Sequence, residues 1–179
     1  MLISDEYRAE QQRMHENERY GAASKKFAGM VASLIKERLP RRVLDYGAGK
    51  CALREALQAE LGATKKTGPW DRIDEYDPGV KAISACPGGL YDLVCCIDVL
   101  EHVEPECLQY VLGHMRAHCG KTAFVTIHTG PAGKVLSDGR NAHLIQKPIG
   151  WWVDRLLEHF AFVDARIVGG TTVVATCEV

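Results

Sequence analysis

A chain of 179 residues, 46% hydrophobic and 25% charged, is long enough to bury the core of one domain, and its composition excludes disordered and fibrous classes. The formal net charge of −1, with Lys25-Lys26, Arg41-Arg42 and Lys65-Lys66 as the densest basic spots, gives no basic stripe of the kind a dedicated nucleic-acid binder carries, which leaves at most a local basic cleft. The acidic start Ser4-Asp5-Glu6 has no apolar leader, no apolar run approaches the roughly 20 residues that span a bilayer, and the seven cysteines include no C-x-x-C pair, so a reduced, cytoplasmic protein without membrane contact is expected.

Residues 5–17 are polar and helix-forming. Phe27, Met30, Val31, Leu34 and Ile35 recur at helical spacing, so 22–38 reads as an amphipathic helix closed before Pro40. A short buried strand at 42–46 runs into the turn Gly47-Ala48-Gly49. Leu53, Ala56, Leu57 and Leu61 then line a helix stopped at Gly62. A second strand is expected at 70–76, ending at Asp77-Pro78, followed by a Gly- and Pro-rich stretch over 78–90. Tyr91–Ile97 is a continuous apolar strand, as a sheet covered on both faces requires. Leu108, Val111, Leu112 and Met115 mark a helix with Pro105 near its first turn. A strand over 123–127, a polar loop over 130–148 and a helix carrying Ile149, Trp152, Val153, Leu156 and Leu157 follow. The end reads as a hairpin, Phe162–Val168 and 171–177 around Gly169-Gly170. Strands alternating with helices predict an α/β fold with a mostly parallel sheet, and the closing hairpin forces at least one strand to run backwards.

Glycines directly after a strand let backbone approach a ligand, and the helix that follows presents N–H groups suited to an anion. Gly47-Ala48-Gly49-Lys50-Cys51-Ala52 also fits the dinucleotide pattern G-x-G-x-x-G/A loosely, whereas Leu44 stands where a P-loop needs its first Gly. Asp77, at the end of the second strand, offers a carboxylate suited to a ribose diol. The segment Val43-Leu44-Asp45-Tyr46-Gly47-Ala48-Gly49 resembles motif I of the class I methyltransferases that use S-adenosylmethionine. Tyr91-Asp92-Leu93-Val94-Cys95-Cys96-Ile97-Asp98-Val99-Leu100-Glu101-His102-Val103 resembles their fourth-strand signature. This likeness runs from about residue 41 to 179, and upstream His15…Tyr20-Gly21 is similar to small stand-alone bacterial and phage-type members. It implies one domain over 1–179, with helices in 1–40 covering the cofactor site of a Rossmann-like core in 41–179. It also implies S-adenosylmethionine held by Tyr20, Asp45, Gly47, Ala48, Gly49, Asp77 and Asp98. The chain departs from the family between Asp77 and Asp92, where the third-strand unit must be shortened or missing. Ile83 or Cys86 in 78–90 then stands in for the usual adenine contact.

Methyl transfer is an in-line displacement at a sulfonium carbon, in which the enzyme aligns the nucleophile and removes a proton. Ligands sit beyond the carboxyl ends of such strands, which makes Asp98, Glu101, His102, His128, Arg140, Asn141 and His143 candidates, with His102, Glu101 and His143 foremost for catalysis. Asp98-x-x-Glu101-His102 with distant His143 resembles the metal-binding pattern of the small-RNA 3′-ribose methyltransferases and of some quinone O-methyltransferases. That resemblance implies Asp98, Glu101, His102 and His143 around Mg or Mn. Proton transfer without metal, and a turn held by hydrogen bonds alone, are the competing readings. His114, His118 and His159 are expected to face solvent, Trp152 to be core and Lys147 to be solvated. A small-molecule oxygen or nitrogen acceptor ranks first, metal-assisted RNA ribose methylation second, and a non-catalytic S-adenosylmethionine-binding or interaction module third. A dinucleotide oxidoreductase would require a parallel last strand and a third Gly, and the sequence offers neither.

Overall fold

Val43–Tyr46 (β1) is buried along its whole length, the condition under which a parallel central strand is stable. The structure, a computed structural model, describes residues 1–17, 20–62 and 73–179. Lys65-Lys66 and the first part of the expected second strand, 70–72, lie outside them. Strand β1 is flanked by Ile73–Tyr76 (β2) and Tyr91–Ile97 (β3), both parallel to it, and β3 pairs in parallel with Cys119–His128 (β4). Thr172–Glu178 (β6) then inserts antiparallel between β4 and Phe162–Val168 (β5), so the sheet order is β2-β1-β3-β4-β6-β5. The reversed strand forced by the Gly169-Gly170 turn is therefore β6.

Asp5–His15 (α1) opens the chain, capped by the Ser4 side chain accepting from the Tyr7 N–H. The expected helix over 22–38 divides into a 3₁₀ turn, Ala23–Phe27, and Ala28–Arg38 (α2). Helices α2 and Ala52–Leu61 (α3) cover one face of the sheet through Val31, Ile35, Leu53 and Leu57, against Val43, Leu93 and Cys95. Leu108–His118 (α4) and Ile149–Leu157 (α5) cover the other through Leu112, Met115, Trp152 and Leu156, against Leu44, Val94 and Val125. This two-sided cover is the arrangement expected of an α/β domain.

The third-strand unit is absent: between Asp77 and Leu90 the backbone forms a single 3₁₀ turn, Lys81–Ile83. The sheet consequently ends at β2, whose Asp74 and Glu75 are paired with Arg42 and Arg54 at 3.1 Å each. Charged side chains on an edge strand discourage pairing with another chain. The histidines expected to face solvent, His114, His118 and His159, are instead half-buried, because the 77–90 loop and the α5 side pack over the flank of α4. Among the described residues no helix is long and apolar enough to cross a membrane.

Trp152 is fully buried, and its Nε1–H has no hydrogen-bond partner among the described residues. Trp152→Ala is expected to destabilise the fold by about 3–5 kcal/mol. Trp152→Phe should cost far less, since it also removes a donor left without an acceptor. Urea unfolding of the two variants checks the difference.

Candidate functional site

The turn after β1 is held tightly. Gly47 and Gly49 adopt φ of 79° and 51°, which glycine reaches without strain. The Gly47 and Ala48 N–H groups donate to Tyr76 O at 2.7 and 3.1 Å, and the Lys50 N–H donates to Gly21 O at 2.9 Å. Asp77 closes the turn from the other side, accepting from the Gly49 N–H at 3.0 Å and the Gly79 N–H at 2.8 Å. The Gly49 and Lys50 N–H groups of the turn are therefore taken up, by Asp77 and by the Gly21 carbonyl. The segment around Gly21 is pinned onto the turn, and Lys50 Nζ also donates to the His15 carbonyl.

From this turn a cavity of about 500 Å³ extends under α1 to the carboxyl ends of β3 and β4. Of the residues expected at the cofactor, Tyr20, Gly47, Gly49, Asp77 and Asp98 line it; Asp45 and Ala48 lie behind its wall. Neither Ile83 nor Cys86, the expected stand-ins for the adenine contact, lines it; Tyr46, Pro78 and Gly79 form the wall on that side. Asp45 is buried, one oxygen has no partner among the described residues, and burial together with the nearby Glu75 and Asp77 carboxylates pushes its pKa up to about 8.

Helix α1 roofs the cavity and is fastened at three points. The Ser4 N–H and hydroxyl donate to Glu104 at 2.8 and 2.6 Å, and the Tyr7 hydroxyl donates to His102 O at 2.7 Å. Ile3 and Tyr7 pack against Leu136 and Ala142 of the long loop after β4. Tyr20 donates to Gln11 Oε1 at 2.9 Å, and Lys134 places its ammonium 4.6 Å over the Tyr20 ring. Gln11 and Lys134 escape sequence reading: Gln11 belongs to a polar helix with no distinguishing pattern, and Lys134 to a loop without periodicity.

At the far end the fold gathers Glu101, His102 and His143. One carboxylate oxygen and one nitrogen of each ring lie within 4.8 Å of one another, and the two rings meet edge-on at 4.7 Å. His102 Nδ1 lies 2.8 Å from Ala142 O and His143 Nδ1 lies 2.6 Å from Gly130 O. A carbonyl only accepts, so each Nδ1 carries the proton and each Nε2 presents a lone pair. Glu101 is fully buried behind the wall; one oxygen accepts the His128 N–H at 2.7 Å and the other has no partner among the described residues. Burial, then the neighbouring Asp98, raise the Glu101 pKa to about 8. Burial, then His143, lower that of His102 to about 4. Burial likewise keeps His143 below the ordinary histidine range. Asp98 stands beside this group rather than in it: its backbone is left-handed, φ 52°, and its carboxylate accepts the Thr126 hydroxyl at 2.6 Å. Asn141 supports the group, its Oδ1 accepting the N–H of Ala132 and of His143 at 2.9 Å each. Arg140 turns away to Asp138.

A mostly parallel sheet with one reversed strand, a glycine turn and a cavity over the strand ends are the features of the Rossmann-like class I methyltransferase fold. The profile of a family described as "Methyltransferase domain" matches residues 14–168, and the chain belongs to that family. Among solved structures it is similar to Burkholderia thailandensis 1,6-didemethyltoxoflavin-N1-methyltransferase, determined with 1,6-didemethyltoxoflavin and S-adenosylhomocysteine bound. The two share 17% identity with a TM-score of 0.66, over 99% of this chain and 91% of that one. A candidate O-methyltransferase of Nostoc punctiforme gives 15% identity and a TM-score of 0.62 over 94% of this chain. The methyltransferase domain of bacterial CtHen1-C gives 16% and 0.58, over 87% of this chain and 97% of that one. At these identities the likeness is one of fold. The chain spans 60% of the Nostoc protein and 63% of an O-methyltransferase family protein from Burkholderia thailandensis. No curated protein matches the chain significantly.

Proposed function

We propose that this protein transfers a methyl group from S-adenosylmethionine to an oxygen or nitrogen of a small molecule. The observation that carries the reading is the cavity of about 500 Å³ joining the glycine turn to His102, His128 and His143. Bound S-adenosylmethionine supplies an electrophilic methyl on a sulfonium. Burial, then the nearby Glu75 and Asp77 carboxylates, raise the Asp45 pKa, and a ligand carrying an ammonium and a sulfonium relieves the part that is repulsion. Asp77 faces the cavity and is placed to accept from a ribose diol; Tyr20 and Gly21 close over the turn. His143 faces the cavity as a neutral base at neutral pH and takes the proton from an acceptor hydroxyl or amine. A small acceptor is supported by the net charge of −1 and by the fold-level likeness to an enzyme that holds one.

The Glu101, His102 and His143 donors also fit a divalent ion, the unpartnered Glu101 oxygen being the sign of it. Two imidazoles and one carboxylate suit Mn(II) better than Mg(II), which prefers oxygen ligands. Such an ion would supply Lewis-acid activation of an acceptor hydroxyl. This donor group is also what favours the second reading, metal-assisted methylation of an RNA ribose.

Calorimetry with S-adenosylmethionine, S-adenosylhomocysteine and NAD tests the cofactor; binding of NAD alone would overturn the reading. Release of S-adenosylhomocysteine with panels of small hydroxy, amino and heteroaromatic acceptors, against RNA 3′ ends, with and without chelator, then separates the two acceptor classes.

Asp45 also gives a pH dependence. A carboxyl raised to about 8 in the folded chain, against an unfolded value near 3.9, stabilises the ligand-free fold fully below about pH 4. That contribution falls away as pH rises through about 8. A cationic ligand favours the ionised form, so binding below about pH 8 expels a proton from Asp45. Wild type should release more protons than Asp45→Asn when titrated in buffers of different ionisation enthalpy. The ligand's own amine contributes equally to both. Equal release in the two proteins would remove Asp45 from the linkage.

A further inference from the structure

On the opposite side of Tyr46 from the cavity, the structure gathers a second set of soft donors. Cys86 lies in the 77–90 loop that replaces the missing third-strand unit, and His114 and His118 lie four apart on α4. The Cys86 sulfur and one nitrogen of each ring fall within 4.8 Å of one another. None of the three lines the large cavity. We propose that Cys86, His114 and His118 form a zinc site that fastens this loop to helix α4, with solvent in the fourth position.

The geometry is built for it in three respects. Residues four apart on a helix share a face, as in the paired histidines of helical zinc motifs, and the two rings lie 4.5 Å apart. His118 Nδ1 lies 2.8 Å from His114 O, so it carries the proton and Nε2 presents its lone pair to Cys86 Sγ at 3.5 Å. With Zn–S of about 2.3 Å and Zn–N of about 2.0 Å, a tetrahedral ion sets sulfur and nitrogen about 3.5 Å apart. His114 Nδ1 is engaged at 3.0 Å by the Tyr46 hydroxyl, the kind of outer contact that orients a metal-bound imidazole. Binding replaces the thiol proton of Cys86 with the metal and releases it to solvent. The purpose is legible in the fold: 77–90 has one 3₁₀ turn and contributes no fully buried large side chain, so the wall formed by Pro78 and Gly79 has little core of its own to hold it.

Cobalt(II) titration of the chelator-stripped chain, followed by zinc competition, tests the site. Wild type should show a thiolate-to-cobalt charge-transfer band and intense tetrahedral visible bands, both displaced by zinc. Cys86→Ser should lose the charge-transfer band, and His118→Gln should bind cobalt at least about 10-fold more weakly. Glu101→Gln, in the other donor group, should retain the band. Should a variant misfold by circular dichroism, zinc protection of Cys86 from alkylation in wild type, read by peptide mass mapping, serves instead. Absence of the band, its persistence in Cys86→Ser, or alkylation of Cys86 unaffected by zinc would each overturn the assignment.

Discussion

His143→Ala is expected to lower kcat for methyl transfer by about 10²–10⁴-fold, the usual contribution of a positioned acid or base, while the Kd for S-adenosylmethionine moves little. The separation follows from where the ring sits. His143 belongs to the loop after β4, at the end of the cavity away from the glycine turn, with its ring 5.1 Å from His128 and 4.7 Å from His102. Its Nδ1–H is committed to Gly130 O and its backbone to Asn141, so Nε2 is the free basic atom. Its lowered pKa leaves it uncharged and ready to accept a proton at neutral pH. His143→Gln keeps polar bulk without a base and should be as impaired as the alanine variant. Stopped-flow or discontinuous measurement of S-adenosylhomocysteine release, beside calorimetric Kd values, decides the matter. Full turnover in both variants would leave His143 a wall residue only.

The parts of this molecule written in local pattern were readable in advance. Gly169-Gly170 between two β-rich runs implied a hairpin, and hence the reversed strand β6. The short spacing from Asp77 to Asp92 implied a missing unit, because one more parallel strand there would need a crossover of a dozen or more residues on each side of it. What could not be read depends on contacts between distant segments. Strand β1 is buried on both faces, so it shows no alternation from which to tell that Asp45 lies behind the cavity wall and not in it. Lys134 lies in a loop whose course is fixed by Ile3 and Tyr7 packing on Leu136 and Ala142, contacts with no sequence periodicity. His114 and His118 flank the apolar stripe of α4 three residues on from Val111 and Met115. Helical spacing alone assigns such positions to solvent, and only the shortened 77–90 loop covers them.

Gly49→Ala is the second large effect expected, and it acts on the cofactor end. A Cβ built on Gly49 would lie 2.6 Å from the Gly21 carbonyl oxygen and 2.9 Å from Gly21 Cα, and φ is +51°. Both obstacles are backbone, so no side-chain rotation relieves them, and the left-handed conformation adds about 1–2 kcal/mol for alanine. The cheapest escape is for the 20–22 segment to lift away. That breaks the Lys50 N–H bond to Gly21 O and draws Tyr20 out of the wall. Gly47 makes a useful contrast, since its Cβ would meet the Val99 methyls at 2.4 and 2.8 Å, where trimming the neighbour restores space. Affinity for S-adenosylmethionine should therefore fall by about 10²-fold or more in Gly49→Ala, an estimate from about 3 kcal/mol of combined strain and lost closure. In Gly47→Ala the loss should be partly recovered by Val99→Ala. Calorimetry on the three proteins, with circular dichroism to show that the sheet persists, measures both effects. Wild-type affinity in Gly49→Ala would mean that closure of the Gly21 segment over the turn contributes nothing to binding.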